Sequence, residues 1–191
     1  MTEANLRVYH AFRSPYSRLG LHLLKRAGLS PDVIPFVTPP AGVAFADPMQ
    51  NKPKLRYYSQ DAPRMTLRMG LPIALPNPFD VDFTPANNAL ALANIEGRGL
   101  DFAIAVSDAR WGRGENISDS DALKAAASQI SWNADKIDAA QDDQRVMDAL
   151  ASYASMIEED QVFGVPFAVY GESKYWGQDR FDLLLEDIAA G

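Results

Sequence analysis

Ser14 is the residue whose setting most favours chemistry. It lies in Tyr9-His10-Ala11-Phe12-Arg13-Ser14-Pro15-Tyr16-Ser17. Before it, Leu6 to Phe12 mixes β-branched and aromatic residues over strand length; after it, Leu19, Leu21, Leu23 and Leu24 sit in a run without breakers until Gly28. The pattern predicts strand, short turn, helix. Ser14 then falls at the helix N-cap and Pro15 at the first helical position, where a missing N–H costs nothing. A hydroxyl and several unpaired backbone N–H groups at such an end favour an anion. The same hydroxyl also serves as a plain cap. The chain has no cysteine, so disulfides, thiolate metal ligands and Cys-x-x-Cys redox chemistry are excluded. Only His10 and His22 represent histidine, and no zinc or copper site is expected. Both are expected to be structural, and no Gly-x-Ser-x-Gly nucleophile elbow is present.

Three further constellations stand out. Asn51-Lys52-Pro53 precedes Lys54, Tyr57, Asp61 and Arg64, and Gly70-Leu71-Pro72 follows. Trp111-Gly112-Arg113-Gly114 leads to Ile117 and Asp119. Val162-Phe163-Gly164-Val165-Pro166 is followed by Trp176-Gly177-Gln178-Asp179-Arg180. Asp179 opens the last predicted helix, where a carboxylate complements the helix dipole. Lys54, Asp61 and Arg64 are expected to form a helix-surface ion network, worth little per pair. The acids at Asp142-Asp143 and Glu158-Glu159-Asp160 lack metal-loop spacing.

The elements that must position these residues follow in order. A second strand is expected over Pro31–Val37, near an edge because of its two prolines, and parallel to the first. A loop from Thr38 carries Pro39, Pro40, Gly42 and Pro48. From Asn51 to Glu159 alanine and leucine recur at helical spacing. One helix there is expected to be interrupted or kinked near Pro63, and Asp135 and Asp142 are expected to open two others. Strand character returns at Pro166–Tyr170 and Lys174–Trp176, a hairpin, before a final amphipathic helix from Gln178 to Ala189. The order β-α-β, helices, β-β-α is an α/β thioredoxin-like core with a large all-helical insertion. The 191 residues then form one unit, with the core at 1–45 and 160–191 and the insertion at 46–159. A net charge of −7 argues against nucleic acid or an anionic membrane as partner. The polar N-terminus leads to the expectation of a soluble cytoplasmic protein.

Taken together, the four constellations resemble the 2-hydroxychromene-2-carboxylate isomerase family and, more broadly, the kappa-class glutathione transferases, both DsbA-like thioredoxin folds. The resemblance runs through the whole chain in order. It implies glutathione as cofactor, with Ser14 stabilising its thiolate as the catalytic residue. It also implies Asn51, Lys52, Val165, Pro166, Gln178, Asp179 and Arg180 as cofactor-binding residues. Val165, before a proline that could be cis, would pair with the cysteinyl unit. Asp179 would receive the glutamyl ammonium, with Arg180 orienting a carboxylate or the Asp itself. Asn51 and Lys52 would reach the glycine carboxylate or the substrate from the inserted helices. Arg13, Tyr16 and Trp111 are the substrate-binding candidates. The implied reaction is cis–trans isomerisation at a double bond conjugated to an aromatic or conjugated 2-keto acid, in a homodimer serving aromatic catabolism. A kappa-like transferase and a non-catalytic thioredoxin-fold binding protein are the alternatives. The chain departs from the family pattern at Ala11, where an aspartate is common, and at Arg13. That cation either supports an anion beside Ser14 or obstructs glutathione.

Overall fold

In the computed structural model, residues 6–43 and 50–190 are described. The elements run β1 (Leu6–His10), α1 (Pro15–Arg26), β2 (Asp32–Pro35), α2 (Lys52–Arg68), α3 (Thr84–Ile95), α4 (Gly99–Arg113), α5 (Ser120–Gln129), α6 (Lys136–Ala139), α7 (Gln144–Glu159), β3 (Phe167–Tyr170) and β4 (Ser173–Trp176). A 3₁₀ turn at Gln178–Arg180 and α8 (Phe181–Ala190) close the chain. The sheet order is β2-β1-β3-β4, with β1 parallel to β2 and antiparallel to β3. β2 is an edge strand, as its prolines require.

Strand residues alternate between two buried layers, as the two-residue period dictates. Leu6, Val8, Val33, Ala168 and Tyr170 join the larger cluster with α1, α3, α4, α5 and α8. Tyr9, Ile34, Phe167 and Val169 face Ile157 and Val162 on the other side. There Asp160 accepts from the Arg7 guanidinium at 2.9 and 3.0 Å and from the Tyr9 hydroxyl, tying the end of α7 to β1. α3 to α7 share the larger cluster with the sheet, while α2 contributes no residue to it.

Several local expectations need correction. α2 is not interrupted at Pro63 but runs through it, at the cost of one backbone hydrogen bond. The cap of α7 is Asp143, not Asp142, because Asp143 accepts the Arg145 N–H. Asp179 and Arg180 lie in the 3₁₀ turn, one step before the last α-helix. Part of the expected loop after β2, residues 44–49, lies outside the described residues. The Trp-Gly-Arg-Gly segment ends α4: Gly114 sits at φ +76°, and a Cβ there would lie 3.0 Å from the Leu75 carbonyl oxygen. Glycine alone meets both demands.

Candidate active site

Two strand registers bring the motifs to one end of the sheet. Tyr9 pairs with Phe167 and Phe167 with Trp176. One step further, the Gly177 N–H still donates to the Pro166 oxygen at 2.9 Å. Val165 lies one residue before that contact, outside the paired residues of β3. The Val165–Pro166 peptide bond is cis. Val165 is half-buried, and its backbone N–H and C=O have no hydrogen-bond partner among the described residues. An unpaired extended segment of this kind can take an added strand.

Ser14 caps α1 as expected. Its backbone is extended at φ −96° and ψ 117°, its oxygen accepts the Ser17 N–H at 3.2 Å, and its own N–H closes a turn on the Ala11 oxygen at 2.9 Å. The helix end is nevertheless leaner in donors than expected. Pro15 has no N–H and Ser17 is satisfied by the cap, which leaves the Tyr16 N–H as the unspent donor of the first turn. The Ser14 hydroxyl hydrogen is the other, since capping uses only an oxygen lone pair.

The substrate-binding candidates diverge. Tyr16 turns to α2: its hydroxyl donates to Asp61 at 2.8 Å and its ring meets Tyr58 edge-on at 5.7 Å. Burial, reinforced by Asp61, raises its phenol above the usual range. Asp61, expected in a surface network, thus anchors α1 to α2 while also pairing with Arg64 at 3.2 Å. Lys54 is not part of that network; its ammonium lies 5.7 Å from the Tyr58 ring centroid. Trp111 is buried, and its indole N–H donates to the Phe12 oxygen at 2.9 Å. That bond braces the turn that presents Ser14, and little of the Trp111 ring is exposed. Arg13 lies 3.7 Å from Asp80 at the site's rim.

Asp179 and Arg180 are exposed and paired to each other at 3.0 Å. Tyr57 on α2 feels Asp61 and, more weakly, Asp179, both of which raise its phenol. Gln178 is buried beneath them. Asn51 spends its side-chain oxygen on the Lys54 N–H at 3.0 Å, capping α2. Lys52 lies nine residues before Asp61, about 13 Å along the helix axis, and does not touch the Ser14 turn. An open groove along α2 from Lys52 to Gln60 is lined by that helix alone and encloses nothing.

Some polar groups around the turn escaped sequence reasoning. The Ser17 hydroxyl accepts the Ala11 N–H at 3.4 Å. Buried Arg18 reaches Asp108 at 2.6 Å and the Pro72 oxygen at 2.8 Å, and His22 meets Asp108 at 2.9 Å. Burial alone would raise the Asp108 carboxyl, but hydrogen bonds from His22 and Arg18 outweigh it and hold it below the ordinary range. Arg110 is fully buried beside Phe79, Phe83 and Trp111. His10, at the end of β1, is fully buried, neither ring nitrogen has a hydrogen-bond partner among the described residues, and desolvation lowers it to about 3. No sequence signal marked these partners, which lie tens of residues apart. No helix among the described residues is long and apolar enough to cross a membrane.

The mixed four-stranded sheet, the helices inserted after β2 and the cis proline before β3 define a thioredoxin-like protein of the DsbA type. The chain belongs to the DSBA-like thioredoxin domain family, whose model matches residues 5–189. A solved 2-hydroxychromene-2-carboxylate isomerase superposes with a TM-score of 0.79 at 22% identity, over 97% of this chain and 94% of that one. A probable DsbA oxidoreductase from Streptomyces coelicolor gives 0.74 at 15%, over 95% and 88%. The cytosolic disulfide reductase DsbM from Pseudomonas aeruginosa, solved with GSH, gives 0.66 at 14%, over 97% and 99%. At these identities the likeness speaks for the fold. It agrees with the resemblance carried by the motifs. No curated protein sequence matches the chain.

Proposed function

We propose that this protein is a glutathione-dependent isomerase acting on an aromatic or conjugated 2-keto acid. The observation that carries the reading is the placing of two unspent groups at paired strands: the Ser14 hydroxyl follows β1, the unpaired backbone of Val165 precedes β3, and β1 and β3 are hydrogen-bonded neighbours in a chain that has no cysteine of its own. Bound glutathione supplies the thiol that adds reversibly to a conjugated double bond and leaves once the bond has rotated. The chain's own residues bind and orient it. Val165 offers one N–H and one C=O to the cysteinyl unit. Asp179 offers a carboxylate to the glutamyl ammonium while Arg180 holds Asp179 in place. Lys52 and Asn51, at the start of α2, are the candidates for the glycine carboxylate or the substrate.

Ser14 stabilises the sulfur anion and is not itself the nucleophile. A helix N-terminus contributes up to about 2 kcal/mol to an anion, and a hydroxyl donor to a charged acceptor about 1.5–3 kcal/mol. With only the Tyr16 N–H and the Ser14 O–H unspent, about half that sum is realistic. At about 1.4 kcal/mol per pKa unit, it still draws a thiol of about 8.5 down by more than one unit.

Calorimetry with glutathione tests binding, and ultraviolet absorbance of the thiolate in the complex, followed against pH, tests the role of Ser14. Saturable binding with a thiol titrating near neutrality, lost in Ser14→Ala, is the expected result. No binding at millimolar glutathione, together with unchanged activity in Ser14→Ala, defeats the reading. Glutathione concentration during turnover separates the isomerase, which leaves it constant, from a transferase, which consumes it. The same reading makes the protein a homodimer, which sedimentation tests.

A further inference from the structure

Arg110 is the unusual charge of this molecule. Its side chain is wholly buried, yet its one hydrogen bond runs from Nη2 to the Phe79 carbonyl oxygen; Nε and Nη1 have no partner among the described residues. Phe83, Trp111 and Phe79 surround it, with ring centroids 4.9, 5.4 and 5.9 Å from the guanidinium carbon. Aromatic faces offset part of the charge but supply no lone pair for the remaining N–H groups. Burial, with the nearby Arg13 adding to it and Asp80 opposing it, lowers the guanidinium to about 10, so it stays charged at neutral pH. A buried cation without a carboxylate costs several kcal/mol and demands an explanation.

The surroundings supply one. The Arg110 guanidinium stands 5.4 Å from the Trp111 ring, whose indole N–H holds the Phe12 carbonyl in the turn that presents Ser14. The segment above it is irregular, Leu71–Phe83, pinned to the end of α4 by Ala74 N–H to the Trp111 oxygen at 2.8 Å and Asn77 N–H to the Gly114 oxygen at 3.2 Å. Asp80 in this segment is exposed and reaches Arg13 at 3.7 Å. Two arginines thus flank one edge of the site, and the nearby carboxylate is borne by the strap that covers the inner one.

We propose that Arg110 is a buried anion subsite for a planar carboxylate. Asp80, on the covering segment, is its internal competitor. An acidic ligand displaces Asp80 from Arg13, enters beneath Phe79 and pairs with the unspent N–H groups of Arg110, its flat body lying among Phe79, Phe83 and Trp111. The guanidinium fork matches a carboxylate in two parallel hydrogen bonds, which an ammonium at the same place does not reproduce. This takes from the function proposed above only that the ligand is an acid; it needs no glutathione.

The test is calorimetry without glutathione, using phenylglyoxylate as the acid probe and its methyl ester as the neutral control. Supporting results are saturable binding of the acid but not the ester, a loss of at least tenfold in Arg110→Met, and a gain of several-fold in Asp80→Asn. Arg110→Lys, which keeps the charge but not the fork, should lose affinity too, and it stands in if Arg110→Met does not fold. Equal affinity for acid and ester, or an unchanged affinity in the Arg110 variants or in Asp80→Asn, overturns the subsite. Glutathione titrations of Asp80→Asn run alongside: glutathione binding without phenylglyoxylate binding sinks the subsite alone, and the converse sinks the glutathione reading alone.

Discussion

The indole N–H of Trp111 donates to the carbonyl oxygen of Phe12 at 2.9 Å, joining the end of α4 to the turn that presents Ser14. Both partners are buried, so Trp111→Phe keeps a ring in place but strands the Phe12 carbonyl. A buried unsatisfied acceptor costs about 1–3 kcal/mol. The expected outcome is a loss of that order in urea denaturation with an unchanged slope, and weaker glutathione binding because the turn loosens. Full stability would show that the carbonyl finds another donor.

Capping and anion binding at Ser14 can be separated. Ser14→Ala removes both and should cost about 1 kcal/mol of stability. Ser14→Asp preserves the cap, since aspartate is at least as good an acceptor for the Ser17 N–H. It also puts a negative charge where the hydroxyl would meet a thiolate. Thermal denaturation should leave Ser14→Asp near the parent while glutathione affinity falls at least as far as in Ser14→Ala. Retained affinity in Ser14→Asp would exclude a sulfur anion at this position.

His10 sets an acid limit on the fold. Desolvation lowers it to about 3, against an unfolded value of about 6.5. The unfolded chain therefore binds a proton that the folded chain refuses throughout that interval. The group favours folding fully above about 6.5, and the advantage is lost as pH falls toward 3, by about 1.4 kcal/mol per pH unit from this residue alone. His10→Leu keeps the site apolar and removes the proton. Denaturation from pH 7 to pH 4 should show a shallower decline for the variant, with the two curves converging above pH 7. Parallel curves would mean that acid unfolding is governed elsewhere.

Much of this fold is legible because it is written locally. The strand before Ser14, the proline behind it, the glycines that stop α3 and α4 and the serine-aspartate cap of α5 each act within a few residues, and each element forms near its expected place. The order of those elements suffices for the thioredoxin-like core. What local patterns do not contain is pairing across distance. Asp108 reads as one polar residue in an alanine-rich helix until α4 packs on α1 and brings it to Arg18 and His22. Trp111 reads as an aromatic free to line a pocket until its N–H finds Phe12. Arg110, between an alanine and that tryptophan, gives no sign of burial, since arginine on a helix is ordinarily solvated.

The covering segment is open to a spectroscopic check independent of any ligand. Phe79 packs edge-on against Trp111 at 6.1 Å, and the Arg110 guanidinium stands 5.4 Å from the same indole. If the pairing of Asp80 with Arg13 holds the strap down, raising salt or substituting Asp80→Asn should expose the indole to a neutral quencher. Surface pairs are screened at high ionic strength, so the two treatments should not add. Additive effects would assign the strap's position to its backbone hydrogen bonds instead.

Gly20 couples the last helix to α1. A Cβ at this position would lie 2.8 Å from Cε2 of Phe181, the buried first residue of α8, directly after the turn that bears Asp179 and Arg180. Helix propensity alone says that Gly20→Ala should stabilise α1 by about 1 kcal/mol. Overpacking a buried contact costs about 1–3 kcal/mol, and Phe181 is fully buried. The clash should win, giving a net loss of stability and a displaced 3₁₀ turn. Thermal denaturation reads the first effect. Glutathione calorimetry reads the second, as a weakening that Gly20→Ala shares with Asp179→Asn and that the double variant does not deepen. A stabilised variant with unchanged binding would show that α8 can slide on α1 without moving the site.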